Sequence, residues 1–173
     1  MHDWVMIGVP TSAGAHYAGQ DRAPDALRAA GLAERLAAAG ETVQDAGNLP
    51  GAAFAVDHDH PGARNLAAVT QVAREVADAI ATADDGRLPL VVGGDCTITL
   101  GVIAGLRQRH PDVGLVYVDG DSDVSVPGDG GSGILDSMGV SHLLGRGAPE
   151  LPGLGGPARQ GGSRWAQAGH VME

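Results

Sequence analysis

Two clusters of potential metal ligands stand at the ends of two apolar runs. The run LPLVVGGDC, starting at Leu88, delivers Asp95 and Cys96; the run VGLVYVDGDSD, starting at Val113, delivers Asp119, Asp121 and Asp123. Carboxylates at i, i+2 and i+4 just past a strand share one face if the extended geometry continues. Three like charges that close repel one another unless a cation neutralises them. The chemistry this arrangement asks for is the binding of a metal ion. Cys96 taken alone reads as a small buried apolar residue, but its place directly after Gly-Gly-Asp at a strand end favours a ligand.

The elements that must position these groups alternate along the chain. Residues 4–9 read as a first strand, leaving through Pro10 into a loop rich in Gly, Ala and Ser up to Gln20. Pro24 suits the first turn of a helix running to about Ala39, in which Leu27, Leu32 and Leu36 recur near helical spacing, and Gly40 ends it. A short strand is expected at 42–45, followed by an irregular stretch containing His58, Asp59 and His60. A long Ala- and Val-rich helix covers 62–83 and closes in a charged turn at 84–87. The strand at 88–92 comes next, then a helix at 97–109 stopped by the His110-Pro111 step. After the strand at 113–118 come the aspartates, a Gly-rich loop from Gly128 to Gly133, and a last helix from Leu135 to Leu144. Strands apolar throughout and alternating with helices indicate a parallel sheet covered on both faces. In such folds ligands gather at the carboxyl ends of the strands, where Cys96 and the aspartates lie.

Composition narrows the partners. With 173 residues, 43% hydrophobic and 18% charged, the chain is long enough for one globular domain or a piece of one. A formal charge of −10 argues against nucleic acid and anionic membranes. No apolar run approaches membrane-spanning length, and the N-terminus lacks the basic start and apolar core of a secretory signal. One cysteine excludes an intramolecular disulfide framework and fits a reducing cytoplasm. After Gly145 the chain becomes rich in Gly and Pro without clear periodicity and supports no confident strand, so 1–150 reads as the folded part and 151–173 as a disordered or aberrant tail. No dinucleotide-binding or phosphate-loop glycine signature follows any strand, which disfavours a nucleotide-binding domain.

An ordered series of segments resembles the arginase, agmatinase and formiminoglutamase group of dinuclear-metal ureohydrolases. It runs through IGVP at 7–10, GQDRAPDALRAAGL at 19–32, DAGNLP at 45–50, VVGGDCTITLG at 91–101, HPDVGLVYVDGDSDVSVP at 110–127 and SGILDSMGVSHLLG at 132–145. The resemblance covers about residues 4–150 and implies a three-layer αβα sandwich around a mainly parallel sheet. It also implies hydrolysis of a linear amidine or guanidino C–N bond. Carried over by position, the metal ligands are Cys96, Asp119, Asp121 and Asp123. The family usually has His at the positions of Cys96 and Asp121. Manganese is the implied metal, two ions per complete site, with Zn or Co also suited because a thiolate prefers softer ions.

Asp123 would also orient the nucleophile, and Asp136 matches the family's proton-shuttling His. Ser125 and Ser132 match positions that bind the far end of the substrate. Asp95 reads as a structural carboxylate supporting the site or as a turn residue bonding nearby amides. His16 lies in the loop expected to rim the pocket, His142 reads as a packed or surface histidine, and His58 and His60 read as solvated. The implied partner is a small guanidino compound, with a homo-oligomer possible.

Family members run on for roughly as many residues again and carry a later Asp-x-Asp motif, which this sequence lacks. In the family sheet two strands from that region separate those matching 88–92 and 113–118. Their edges here would stay unpaired, pair with each other or borrow a partner. The sequence reading favours a truncated product, with a shifted frame from about Gly155, over completion by another chain. A non-catalytic metal- or partner-binding scaffold is the alternative function.

Overall fold

The computed structural model describes residues 2–83, 86–151 and the strand at 165–168. Strand β1 (Asp3–Val9) is the centre of a three-stranded parallel sheet, flanked by β2 (Thr42–Asn48) and β3 (Leu88–Gly93). Its register sets Trp4 opposite Val43 on one side and Met6 opposite Leu90 on the other. Buried on both faces, β1 reads as an unbroken apolar run rather than an alternating one. Val5, Ile7 and Val9 pack against Val72, Val76 and Ile80 of α3 (Leu66–Ala83). The even-numbered residues point the other way, and a Cβ on Gly8 would run into Arg28 of α1 (Ala23–Ala29). Helices therefore cover both faces of the sheet, the layered α/β arrangement that the periodicity predicts.

On the α3 face lies α4 (Ile98–Arg107), and small residues set the spacing between the two helices. A Cβ on Gly105 would come within 2.6 Å of the Ala77 carbonyl oxygen, and one on Gly101 would strike that of Ala73. Glycines four residues apart on α4 thus face alanines four apart on α3. A second core, built from Ala13, Val69, Leu100, Leu135, Met138 and Leu151, lies toward the ends of the strands.

Several boundaries differ from the sequence reading. The expected helix from Pro24 to Ala39 is two helices, α1 and α2 (Leu32–Ala38), because Gly31 takes a left-handed φ of 77° and closes the first. Helix α3 begins at Leu66 rather than 62. Asn65 sits at φ 56°, with its amide donated to Asp57 (2.8 Å) and its side chain to the carbonyls of Ala13 and Ala55. Strand β2 extends to Asn48, and the last helix is a 3-10 turn (Leu135–Met138) followed by α5 (Gly139–Leu143). Strand β4 (Leu115–Val118) pairs in parallel with β5 (Trp165–Ala168), so a strand does form in the segment after Gly145. Among the described residues β3 and β4 belong to separate sheets and do not pair with each other. Residues 152–164 and 169–173, like part of the charged turn at 84–87, lie outside the described residues.

Candidate metal centre

The carboxyl end of β3 turns sharply against the loop after β1. Gly94 donates its amide to Val9 O (3.1 Å) and Asp95 to Thr11 O (3.0 Å). A Cβ on Gly94 would overlap the Thr11 backbone, so only glycine permits this approach. Asp95, 1% exposed, accepts from Gly14 N (3.0 Å), Thr97 N (3.1 Å) and the Thr97 hydroxyl. Both readings open to it meet here: it bonds the nearby Thr97 amide as a turn residue does, and through Gly14 it ties a second loop to the turn. Burial pushes its pKa up, against the pull of the Thr97 hydrogen bond.

Next to it, the Cys96 thiol donates to Asp136 Oδ1 at 2.6 Å and lies 3.8 Å from Asp123 Oδ2. The Cys96 amide also points at Asp136 Oδ1 (3.3 Å), while Asp136 donates its own amide to Gly14 O (3.0 Å). Burial, then the charge of Asp136, drives the thiol well above its ordinary pKa, so without a cation Cys96 is protonated.

The aspartate cluster does not continue as a strand. Strand β4 ends at Val118, and Asp119 Oδ1 accepts the Asp121 amide at 3.0 Å, a local turn that competes with extended backbone. Asp121 Oδ1 in turn accepts from Ser122 N (2.6 Å) and its side chain is exposed. Asp123 is 6% exposed and left-handed at φ 49°, and its carbonyl accepts from Val140 N (3.0 Å) and Ser141 N (3.3 Å) at the start of α5. Tyr117 donates its hydroxyl to Asp123 Oδ2 at 2.6 Å. Burial raises the Asp123 pKa, Tyr117 opposes this, and the charges of Asp119, Asp136 and Asp121 add to it.

These groups line one cavity of about 500 Å³ whose walls include Asp95, Cys96, Asp119, Asp121, Asp123 and Asp136, with His16 and Gln20 at its rim. No Lys or Arg among the described residues lines it. Sulfur and carboxylate oxygens facing a cavity without cationic side chains fit a divalent cation in charge and donor type. In position the set is partial: among the described residues no three His, Cys, Asp or Glu side chains are grouped closely enough to hold an ion. The extended geometry assumed for Asp119, Asp121 and Asp123 does not continue, since the bend at Gly120 and Asp121 redirects the chain, although all three line the same cavity.

Ser125 and Ser132 lie outside the cavity lining. Ser125 donates its amide to Ser137 O (3.2 Å), and the exposed Ser132 accepts from Ile134 N (3.2 Å). His58 and His60 are exposed on a separate loop, where His60 pairs with Asp57 at 3.1 Å. Hydrogen bonds from the amides of Asn65 and His60 hold the Asp57 carboxyl down at about 2. His142 is a packed residue, bonded to Met138 O (2.8 Å) and kept neutral by burial. Sequence reasoning passed over Tyr117, although it stands two residues before Asp119 and so faces the same side of β4.

Comparison with known proteins bears on the family and the fold. The sequence model of the arginase family matches residues 2–171, farther into the C-terminal segment than the motifs alone reach. Arginase from Bacillus caldovelox is 34% identical over 154 residues, covering 87% of this chain and 52% of that protein. The crystal structure of arginase from Bacillus cereus matches with a TM-score of 0.78 at 31% identity, over 90% of this chain and 52% of that one. Entamoeba histolytica arginase, solved in complex with L-ornithine, gives 0.74 at 27% identity over 90% and 55%. The chain thus spans about half the length of the relatives it matches. Likeness in sequence and in fold extends over most of the chain, and it belongs to the arginase family.

Proposed function

We propose that this chain supplies one part of a metal-dependent hydrolase centre that cleaves the C–N bond of a linear amidine or guanidino compound. The observation that carries this reading is the single acidic cavity joining the ends of β3 and β4. Cys96, Asp119, Asp121 and Asp123 would hold a divalent cation there, manganese first, with zinc or cobalt favoured by the sulfur. Such a cation supplies Lewis acidity that brings the ionisation of water toward neutral pH.

The chain's own side chains prepare that step. Cys96 must lose its proton to ligate, and Asp136 Oδ1, 2.6 Å away, is the acceptor placed for it. Asp123, buried and oriented, would direct the nucleophile. The acidic walls attract a cationic guanidinium. A guanidino substrate accords with the ornithine bound to the Entamoeba relative, ornithine and urea being the two products when water cleaves the guanidino C–N bond of arginine. A second reading, a metal-binding scaffold without turnover, draws on the contact that engages Asp136 with Cys96 rather than leaving it open to substrate.

Titration calorimetry with Mn, Co and Zn ions, paired with urea and ammonia release from arginine, agmatine and guanidino acids, tests the proposal. The 173-residue chain alone should bind cation weakly and turn over slowly or not at all, and Asp123→Asn should abolish the binding. Tight uptake of two ions per chain would refute the partial centre. Absence of any Asp123-dependent uptake would remove the cation altogether. Binding with no turnover in a longer form carrying the rest of the family's length would favour the scaffold.

A further inference from the structure

We propose that Tyr117 is the positioning residue of this centre, its hydroxyl holding the Asp123 carboxylate in orientation beside Cys96 before a cation arrives. The role rests on the cation-binding reading of Asp123 and Cys96. Tyr117 is buried on β4, while its neighbours Val116 and Val118 face outward. Its 2.6 Å bond to Asp123 Oδ2 has the length of a charge-assisted hydroxyl–carboxylate contact. The same oxygen lies 3.8 Å from Cys96 Sγ, so the hydroxyl acts on the edge of the carboxylate that faces the sulfur.

Two constraints make that contact decisive. The Asp123 backbone is pinned by the amides of Val140 and Ser141, so the freedom that remains lies in the side-chain torsions. The charges of Asp119, Asp136 and Asp121 bear on its carboxylate and disfavour a further negative charge held beside them. Cys96 competes poorly as a donor, because its thiol has a nearer acceptor in Asp136 Oδ1. The phenol is therefore what retains the carboxylate. Replacing it with phenylalanine keeps the ring in the core and removes only the retaining oxygen.

The test uses Co2+ alone as probe, followed by calorimetry and visible absorption, together with ultraviolet resonance Raman of the cation-free chain. A Tyr17→Phe background isolates Tyr117 in the Raman spectrum, since these are the only two tyrosines. The tyrosine doublet should report a strong hydroxyl donor, and Asp123→Ala should abolish that signature. Tyr117→Phe should weaken Co2+ binding by about 10- to 100-fold, the usual cost of losing a group that orients a ligand, and should shift the cobalt bands. A Tyr117 without donor character, or one indifferent to Asp123→Ala, overturns the inference without needing any variant at Tyr117 to fold. Equal Co2+ affinity and an unchanged spectrum in Tyr117→Phe overturn it while leaving the centre intact. No Co2+ binding by the parent chain, with the donor signature present, defeats the cation reading and reduces the contact to a structural hydrogen bond.

Discussion

The two walls of the acidic cavity are built by different means. The wall after β3 is anchored to the central strand: β3 pairs with β1, Gly94 lies against Thr11, and Asp95 bonds groups from two loops. The wall after β4 rests on a separate two-stranded ladder, with Val116 and Val118 71% and 77% exposed. Its first two aspartates bond mainly to amides of their own turn. Only Asp123 reaches into the packed interior, through Tyr117 and the start of α5. The same cavity therefore joins a wall fixed by the core to one fixed by local turns, and the partial convergence of the donors follows from that mismatch.

Substitutions at the two walls can break or sharpen this contrast. The largest effect is expected at Gly94→Ala, where a methyl group meets backbone that cannot yield. A loss of about 3 kcal/mol is expected for such forced overpacking, measured as a lower urea midpoint at unchanged m-value. A loss below ~0.5 kcal/mol, the range of ordinary surface changes, would show the β3 wall to be as pliable as the other.

Asp123→Asn should act in the opposite direction in the cation-free chain. Burial raises the Asp123 pKa, so the folded state holds this proton more tightly than the unfolded chain. Ionisation then costs stability above the folded pKa, and the cost disappears as the pH falls below the unfolded value of 3.8. The variant should be more stable than the parent at neutral pH, with the difference shrinking on acidification. Denaturation at a series of pH values would show it; a gap constant with pH would contradict the burial argument. The smallest effect belongs to Val118→Thr, a change on the exposed face of β4, expected within about 0.5 kcal/mol. A larger loss would mean that this face is covered.

Much of the scaffold was legible because short unbroken apolar runs mark the strands of a parallel sheet, although only β1 is buried on both faces. The apolar runs at β1, β3 and β4 could be read directly, and the family resemblance supplied their order. Interruptions were harder to see. Gly31 breaks a helix whose leucines keep helical spacing on either side, because a left-handed glycine closes the first helix without disturbing the pattern. Asn65 delays α3 through bonds to Asp57, Ala13 and Ala55, up to 52 residues away along the chain, which no local window contains. At the site, the residue types after β3 and β4 announced cation chemistry, and these groups do face one cavity. Extended geometry was the wrong extrapolation for Asp119 to Asp123, since a side-chain acceptor at Asp119 captured the amide that a strand would have used elsewhere.

The order of donor types along the chain was thus set by sequence: a thiol after one strand, carboxylates after another, and an acidic excess around them. Which of those donors face one another was decided only by the tertiary structure. Cys96 meets Asp136 across 40 residues, and Tyr117 meets Asp123 because the chain reverses between them. The reason is physical. Burial periodicity is a local property that each segment carries by itself, whereas the direction of a side chain at a strand end depends on what the neighbouring loops offer it to bond.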